Sequence, residues 1–318
     1  MKAFCTIATA SPYYYHAAWN LAMSMKKHGS EIPFILICDG GDNWAHIRQR
    51  DRNIFDRVIF LKGDDTTPLY SKTRVYDYIP EEFNEFIFID ADSLCLKNPD
   101  DLFEKMPDFG PMTEGFGKYG DHKIETAWVK PIERIWDYYG FDKKRVFSEI
   151  NSSIMRVKRS PTAEAIFKLA ENYYAADFYA AASRLGGHYP DELAFETAML
   201  AIGYTPPEFR PLFIHYANDK KTPQTRLKTW KQYFLSLPGN RNHVSGYTWE
   251  EYRNHVIKWS REMGLGEGYR FIPQMKAANQ KVQYNGLRPN DSPEWVEELI
   301  ATFAKPKRRK PKKKEEEL

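Results

Sequence analysis

Residues 86–92 have the sequence FIFIDAD, in which four consecutive apolar residues lead directly into two carboxylates. An apolar run of this length predicts a strand buried on both faces. Because side chains alternate along a strand, Asp90 and Asp92 lie on one side if the strand continues, and a turn would bring them closer. Two neighbouring carboxylates repel unless a cation neutralises them, and Mg²⁺ or Mn²⁺ prefers oxygen ligands. An Asp-x-Asp pair also occurs by chance at solvated strand ends, so its context decides.

The sequence before this stretch alternates between apolar strands and helical segments. Strands are predicted at 2–9, 33–38, 57–61 and 85–89, and helical segments at 14–28, 43–53 and 71–79. Such alternation predicts an α/β protein with a parallel sheet, whose ligands bind beyond the carboxyl ends of the strands. Thr9, Asp39 and Asp90 fall at such ends.

The second half of the sequence is mostly helical in pattern. A strand is predicted at 151–158 and helices at 161–185, 192–202, 248–263 and from Ser292 onward, whereas 110–148 shows too little periodicity for an assignment. We therefore expect an α/β domain at 1–230, a helical extension at 231–304 and a disordered tail at 305–318.

The net charge of +3 comes from the tail and not from the body of the chain. Eight Lys and Arg lie in 305–314 and three Glu follow, so that the rest of the chain holds 38 basic and 40 acidic residues. The basic character is therefore confined to one short segment.

The three cysteines, Cys5, Cys38 and Cys95, each lie in or beside an apolar run. This placement and the odd number predict buried thiols in a reducing compartment and not a disulfide framework. The N-terminal residues do not follow a signal-peptide pattern, and no apolar stretch approaches the roughly 20 residues of a membrane span. We expect a cytoplasmic protein.

The run IDADSLCLKNPDDLF at 89–103 closely resembles the metal-binding segment of the family 8 glycosyltransferases. That family includes the glycogenins and the bacterial lipopolysaccharide galactosyltransferases and glucosyltransferases. Residues 3–9, followed by a tyrosine cluster and a helical segment ending at His28, resemble the family's first strand and helix. The resemblance covers roughly residues 3–223, and its motifs come in the family's order.

Four shorter segments resemble the family's donor site. Lys72 matches a donor-site lysine, and 151–155 (NSSIM) is similar to an Asn-Ser-Gly segment that lines the sugar site. The Asp-Glu pair at 191–192 stands where the family usually has Asp-Gln. His215-Tyr216, with Lys221 six residues after His215, resembles a His-Phe-x-Gly-x-x-Lys-Pro-Trp segment.

This sequence departs from the family's pattern at four positions. Ser153 replaces a Gly and Glu192 replaces the Gln, and both changes bear on which sugar is bound. Asn218 and Thr222 replace the Gly and Pro of the last segment, which bears on how that loop closes over the diphosphate.

The resemblance implies a GT-A fold, with a mixed, mostly parallel central sheet and a helical C-terminal extension. It also implies a nucleotide-diphosphate sugar as donor, a UDP-sugar foremost, together with Mn²⁺ or Mg²⁺ and retention of the anomeric configuration. The expected enzyme is a metal-dependent hexosyl- or pentosyltransferase that acts on a hydroxyl acceptor.

The same resemblance implies the role of each site residue. The metal would be held by Asp90, Asp92 and His215. The nucleotide-sugar would be held by Ala8, Thr9, Tyr13, Lys72, Asp90, Asn151 and Ser152, with the ring of Tyr13 stacked on the base. Asp191 and Glu192 would act at the sugar, and Lys221 and the metal would stabilise charge on the leaving diphosphate. No residue stands out as a covalent nucleophile or as the catalytic base.

Several of these residues also have purely structural interpretations. Asp191 could cap the helix at 192–202 after Pro190, a role as plausible as sugar binding. Tyr13 could be an ordinary core or surface tyrosine, and His215 a structural histidine.

Two other protein classes stay open. A haloacid-dehalogenase-type phosphatase also carries Asp-x-Asp after a buried strand, although that strand is usually N-terminal and here three strands come first. An inactive transferase fold could serve as a binding module, but intact Asp90, Asp92 and His215 argue against it.

The acceptor is not specified by a motif. The basic residues 305–314 suit the phosphates of nucleic acid or an anionic membrane surface, or they form a solvated end. Because the tail is interrupted by Pro and has no apolar residues among its charges, it favours DNA, whose acceptor would be a hydroxylated base. A lipopolysaccharide-type glycan or a protein acceptor is the alternative.

Overall fold

A computed structural model describes residues 1–9, 12–61, 68–121, 132–176, 190–209, 213–215, 233–236, 256–259 and 261–263, with the backbone alone at 13, 68, 175–176, 213–215 and 236. The strands are β1 (Lys2–Ala8), β2 (Phe34–Cys38), β3 (Arg57–Phe60), β4 (Glu85–Ile89), β5 (Ser93–Cys95), β6 (Phe109–Lys118), β7 (Val146–Lys158), β8 (Phe213–His215) and β9 (Phe234–Ser236). The helices are α1 (Pro12–Lys27), α2 (Asp42–Ala45), α3 (Pro68–Thr73), α4 (Val75–Tyr78), α5 (Leu102–Lys105), α6 (Glu133–Tyr139), α7 (Pro161–Ala176) and α8 (Asp191–Ile202), with a 3-10 helix at Gln49–Ile54.

Six strands form one central sheet in the order β3-β2-β1-β4-β7-β6. Strand β1 is parallel to β2 and β4, and β2 is parallel to β3, whereas β7 runs antiparallel to both β4 and β6. The predicted α/β class with a mixed, mostly parallel sheet is therefore confirmed. The antiparallel direction of β7 carries its first half past the carboxyl end of β4.

A second sheet has three short strands in the order β5-β9-β8. Its register aligns Ser93 with Ser236, and Ser236 with His215. The backbone of His215 is therefore two strand spacings, about 9–10 Å, from that of Ser93. Ser93 and His215 are 122 residues apart in sequence, yet they lie in one row of this sheet. Because Ser93 directly follows Asp92, this row lies beside the predicted metal motif.

The central sheet is buried on both faces, which explains why its strands are apolar without alternation. Along β1, Phe4 and Ala8 pack on the face covered by α1. Ala3, Cys5 and Ile7 belong to the core cluster on the opposite face, which also contains residues of α7 and α8. The three cysteines are buried and free, as predicted.

Local predictions succeed where one helix or strand spans the whole apolar pattern. The predicted helix at 14–28 is α1, and the predicted strands before Asp90 are β1 to β4. The predicted helical segments 43–53 and 71–79 are each split in two. The strand predicted at 151–158 begins earlier, at Val146, because it pairs with β6, whose residues lie in the stretch without clear periodicity.

The C-terminal predictions are only partly covered. In the predicted helix 248–263, the described residues are helical at 256–259, and Val256 and Trp259 pack in the same core as α1. The predicted last helix and the tail lie outside the described residues. Within the described part of the chain, no helix is both long and apolar enough to cross a membrane.

Candidate active site

A buried lysine joins several elements at the carboxyl end of β4. The Nζ atom of Lys72, in α3, is 2.9 Å from Oδ1 of Asp90 and 3.0 Å from Oδ2 of Asp191. It donates a hydrogen bond of 3.1 Å to Oγ of Ser152, and this hydroxyl donates to Oδ2 of Asp191 at 2.6 Å. The structure thus brings together four of the residues that the sequence nominates, which we call the Lys72 cluster: Lys72, Asp90, Ser152 and Asp191.

The Lys72 cluster is nearly closed to solvent. Lys72 is 5% exposed and Asp191 is 3% exposed, whereas the side chain of Asp90 is 26% exposed. Burial opposes a charge on Lys72, but the carboxylates of Asp191 and Asp90 outweigh it and raise the pKa of the lysine. Lys72 is therefore a permanent cation between two carboxylates, of which Asp90 is the one open to a ligand.

Asp191 does not cap its helix. The N-cap residue of α8 is Pro190, and no side chain makes a capping hydrogen bond there. The Asp191 carboxylate turns instead to Lys72 and Ser152. The capping interpretation is therefore wrong.

Strand β7 is tied to the end of β4 by its residues 151–153. The backbone N of Asp90 donates to the carbonyl oxygen of Ser153 at 2.8 Å. The Asn151 side chain accepts from the N of Ser153 at 2.9 Å and donates to Oε1 of Glu114 at 3.3 Å. These bonds fix two predicted sugar-site residues, Asn151 and Ser152, beside Asp90.

Glu192, the second residue of α8, lies in a strongly acidic setting. Burial and the neighbouring Asp191 raise the pKa of Glu192 to about 8, although Lys72 opposes them. The Glu192 side chain is therefore largely protonated at neutral pH. Protonated, it is a neutral hydrogen-bond donor and acceptor, as is the Gln that the resembling family usually has here.

Asp90 and Asp92 flank a tight turn between β4 and β5, closed by a 3.1 Å hydrogen bond from the N of Ser93 to the carbonyl oxygen of Asp90. Among the side chains that the structure describes, no three His, Cys, Asp or Glu are arranged to hold a metal ion. The imidazole of His215 lies outside that set, although its backbone shares the row of Ser93. Carboxylate oxygens suit Mg²⁺ and Mn²⁺, which often complete their coordination with substrate phosphates and water. Asp90 and Asp92 therefore offer the ligand type that these cations take, and the other ligands would come from phosphate and water.

The remaining predicted residues lie at the end of β1 or outside the described part of the chain. Ala8 and Thr9 are fully buried, and the Thr9 hydroxyl has no hydrogen-bond partner among the described residues. Tyr13 is in the first turn of α1, but its ring is not described, so base stacking stays a prediction. Lys221 lies outside the described residues.

Two further carboxyl groups near the Lys72 cluster, Glu114 and Glu196, are not predicted from the sequence. Glu196 follows Glu192 by four residues, and this helical spacing is a signal that could have found it. Glu114 lies in β6, within the stretch of little periodicity, and offers no such signal.

Sequence comparison finds no protein-family model and no curated protein that matches this chain. Comparison of structures finds similarity to the galactosyltransferase LgtC in complex with donor and acceptor sugar analogues, at 12% identity and a TM-score of 0.49, over 80% of this chain and 95% of LgtC. The apo bifunctional glycosyltransferase WbbM gives 12% identity and a TM-score of 0.49 over 83% of this chain, and the chain spans 50% of WbbM's length. The glycosyltransferase GlyE of Streptococcus pneumoniae TIGR4 gives 13% identity and a TM-score of 0.47, over 83% of this chain and 63% of GlyE.

These similar structures are glycosyltransferases, the class of enzyme that the sequence motifs resemble.

The ion pairs of Lys72 can be tested by stability. Lys72→Met leaves two carboxylates without their cation, so we expect the free energy of unfolding to fall by about 3–5 kcal/mol. The double variant Lys72→Met/Asp191→Asn should recover most of this loss. Lys168→Met is the control, because its partner Glu164 and Lys168 are both exposed, and it should cost under about 1 kcal/mol. Urea unfolding measures the stability of all four proteins. A Lys72→Met variant as stable as the wild type would contradict the account.

The charge state of Glu192 can be tested by pH. The pKa of Glu192 is higher in the folded state than in the unfolded state. Its contribution to the free energy of unfolding is therefore fully present below the unfolded pKa and is lost as pH rises towards 8. Glu192→Gln lacks that loss, so its stability relative to the wild type should rise by roughly 4 kcal/mol between pH 5 and pH 9, at about 1.4 kcal/mol for each pH unit up to pH 8. Unfolding in urea at both values measures the gain. Glu164→Gln, at an exposed position, should show no gain, and a pH-independent Glu192→Gln difference would refute the assignment.

Proposed function

We propose that this chain is a metal-dependent glycosyltransferase with a GT-A fold, which transfers a sugar with retention from a nucleotide-diphosphate sugar to a hydroxyl acceptor. One observation carries the proposal. The Lys72 cluster lies at the carboxyl end of β4, with one carboxylate buried beside a serine and one open to solvent. The buried carboxylate of Asp191 suits neutral sugar hydroxyls, and the open carboxylate of Asp90 suits a cation that carries a diphosphate.

The sugar site in this proposal consists of hydrogen-bonding groups held in fixed positions. Asp191 and Ser152 are held by Lys72, and Asn151 is held by Glu114 and the backbone of Ser153. Groups whose own geometry is set before the ligand arrives bind it with little ordering cost. Glu192, neutral at pH 7, can give and accept a hydrogen bond at the same sugar.

The diphosphate site in this proposal lies at the carboxyl ends of β1 and β4. Asp90 and Asp92, with His215, would hold Mn²⁺ or Mg²⁺, and the cation would supply Lewis-acid stabilisation of the leaving diphosphate. Lys72 holds the Asp90 carboxylate in place by an ion pair of 2.9 Å, and Lys221 would add positive charge at the leaving group. Thr9, whose buried hydroxyl needs a partner, and Tyr13 bind the nucleoside.

The metal site can be tested with a donor panel. We expect wild-type protein with Mn²⁺ to bind UDP and to hydrolyse one UDP-sugar slowly, and chelation with EDTA to abolish both. Asp92→Asn should reduce hydrolysis by about 100-fold, the upper end of the effects seen for changes at metal sites. Release of UDP measures the rate.

The control for the metal site is Asp137→Asn, because Asp137 is an exposed partner of Lys143 and Tyr119 away from the Lys72 cluster. It should leave hydrolysis unchanged. Full activity of Asp92→Asn, or of chelated wild type, would remove the metal from the mechanism.

For the acceptor, we propose a hydroxylated base in DNA, supported by the eight basic residues of 305–314. Lys and Arg that contact phosphates release counterions, so binding should weaken steeply with salt. A glycan or protein acceptor needs no such tail.

Deletion of 305–318 tests this acceptor. The only apolar side chain among the charges and prolines of this segment is Leu318. Loss of the segment should therefore leave the melting temperature and UDP binding nearly unchanged. DNA affinity should fall, and the slope of log affinity against log salt should become shallower by several units, about 0.9 for each phosphate that the tail no longer neutralises. Anionic vesicles form the parallel arm, and equal slopes for both proteins on both ligands would leave the tail without a role.

A further inference from the structure

A second buried contact joins α8 to β7 beside the Lys72 cluster. Oε1 of Glu196 accepts a hydrogen bond of 2.9 Å from the backbone N of Ile150. Glu196 is fully buried and lies about one helical turn after Glu192. Helix α8 therefore holds β7 at two points, the amide of Ile150 and the hydroxyl of Ser152.

Ile150 pairs with Thr113 of β6 on one side, but no residue of β4 pairs with it on the other side. Strand β4 pairs with β7 only from Ile154 onward, and the register between β6 and β7 shifts next to Ile150. A buried N–H group without an acceptor is costly, so a side chain must replace the missing ladder bond. Glu196 supplies that acceptor immediately before Asn151 and Ser152, of which Ser152 contacts Lys72 and Asp191.

Burial raises the pKa of the Glu196 carboxyl group well above the usual range, the hydrogen bond from Ile150 opposes this, and the nearby Glu192, Glu149 and Glu114 add to the rise. The bond to Ile150 needs only a carbonyl oxygen. A glutamine can provide it, whereas an apolar side chain of the same length cannot.

We infer that Glu196 is a positioning residue, which fixes 150–153 of β7 so that Asn151 and Ser152 meet the sugar of the donor. The inference rests on the proposed function. It concerns the sugar and not the nucleotide, because neither of these residues belongs to the proposed diphosphate site. Loss of the Glu196 acceptor should therefore weaken binding of a UDP-sugar and spare UDP.

Calorimetric titration in Mn²⁺ compares UDP, UDP-glucose and UDP-galactose on wild type, Glu196→Gln and Glu196→Met. We expect Glu196→Gln to stay within about twofold of wild type for every ligand. Glu196→Met should lose about fivefold to tenfold in affinity for the preferred UDP-sugar, the range of one hydrogen bond, with UDP within about twofold. Glu164→Met, on the exposed face of α7, is the matched control and should change nothing.

Amide hydrogen exchange of residues 150–153 tests the inference without any nucleotide-sugar. Exchange should be faster in Glu196→Met than in wild type and Glu196→Gln. If Glu196→Met does not fold, Glu196→Asp replaces it in the titration and in the exchange experiment. The shorter side chain of Asp moves the carboxyl oxygen away from the N–H of Ile150.

Three results would overturn the inference: equal losses for UDP and the UDP-sugar, an unchanged UDP-sugar affinity in the variant without the acceptor, or unchanged exchange at 150–153. A wild type that binds neither UDP nor a UDP-sugar would instead count against the proposed function. In that case the exchange arm still decides whether Glu196 fixes 150–153.

Discussion

The ammonium group of Lys72 is the one charge on which the rest of the site depends. A buried cation is tolerated only with ionised partners close by, and here Asp90 and Asp191 provide them. This requirement holds the start of α8, the end of β4 and α3 at fixed separations. Of the two partners, Asp90 is the one whose side chain stays partly open to solvent, as a ligand of a divalent cation must.

The direction of β7 is the second constraint. Because β7 runs antiparallel to β4, its first half extends beyond the carboxyl end of β4 and passes the position of Asp90. The same extension leaves Ile150 without a partner on the β4 side, and there Glu196 of α8 accepts its N–H. Asp191 of α8 accepts the hydroxyl of Ser152. A strand parallel to β4 would have ended at this edge and could not have lined the site with a continuous segment.

The carboxyl groups around α8 give a physical meaning to one departure from the family pattern. Glu192 stands where a neutral Gln is usual, and an ionised carboxylate beside Asp191 would add repulsion. Burial resolves this conflict, since it favours the protonated form of Glu192. The substitution therefore changes the chemistry of the position less at neutral pH than the residue names suggest.

The sequence by itself determined the strands β1 to β4, helix α1, the burial of the cysteines and the position of Asp90 after a buried strand. Each of these follows from apolar periodicity within a short window. The motifs also nominated Lys72, Ser152 and Asp191, but not the contacts among them. Only the tertiary structure decided that Asp191 faces Lys72 and does not cap α8, that β6 pairs with β7 in a stretch of weak periodicity, and that Glu196 supports Ile150. Those outcomes depend on contacts between residues far apart in sequence, which desolvation and strand pairing select and local patterns do not encode.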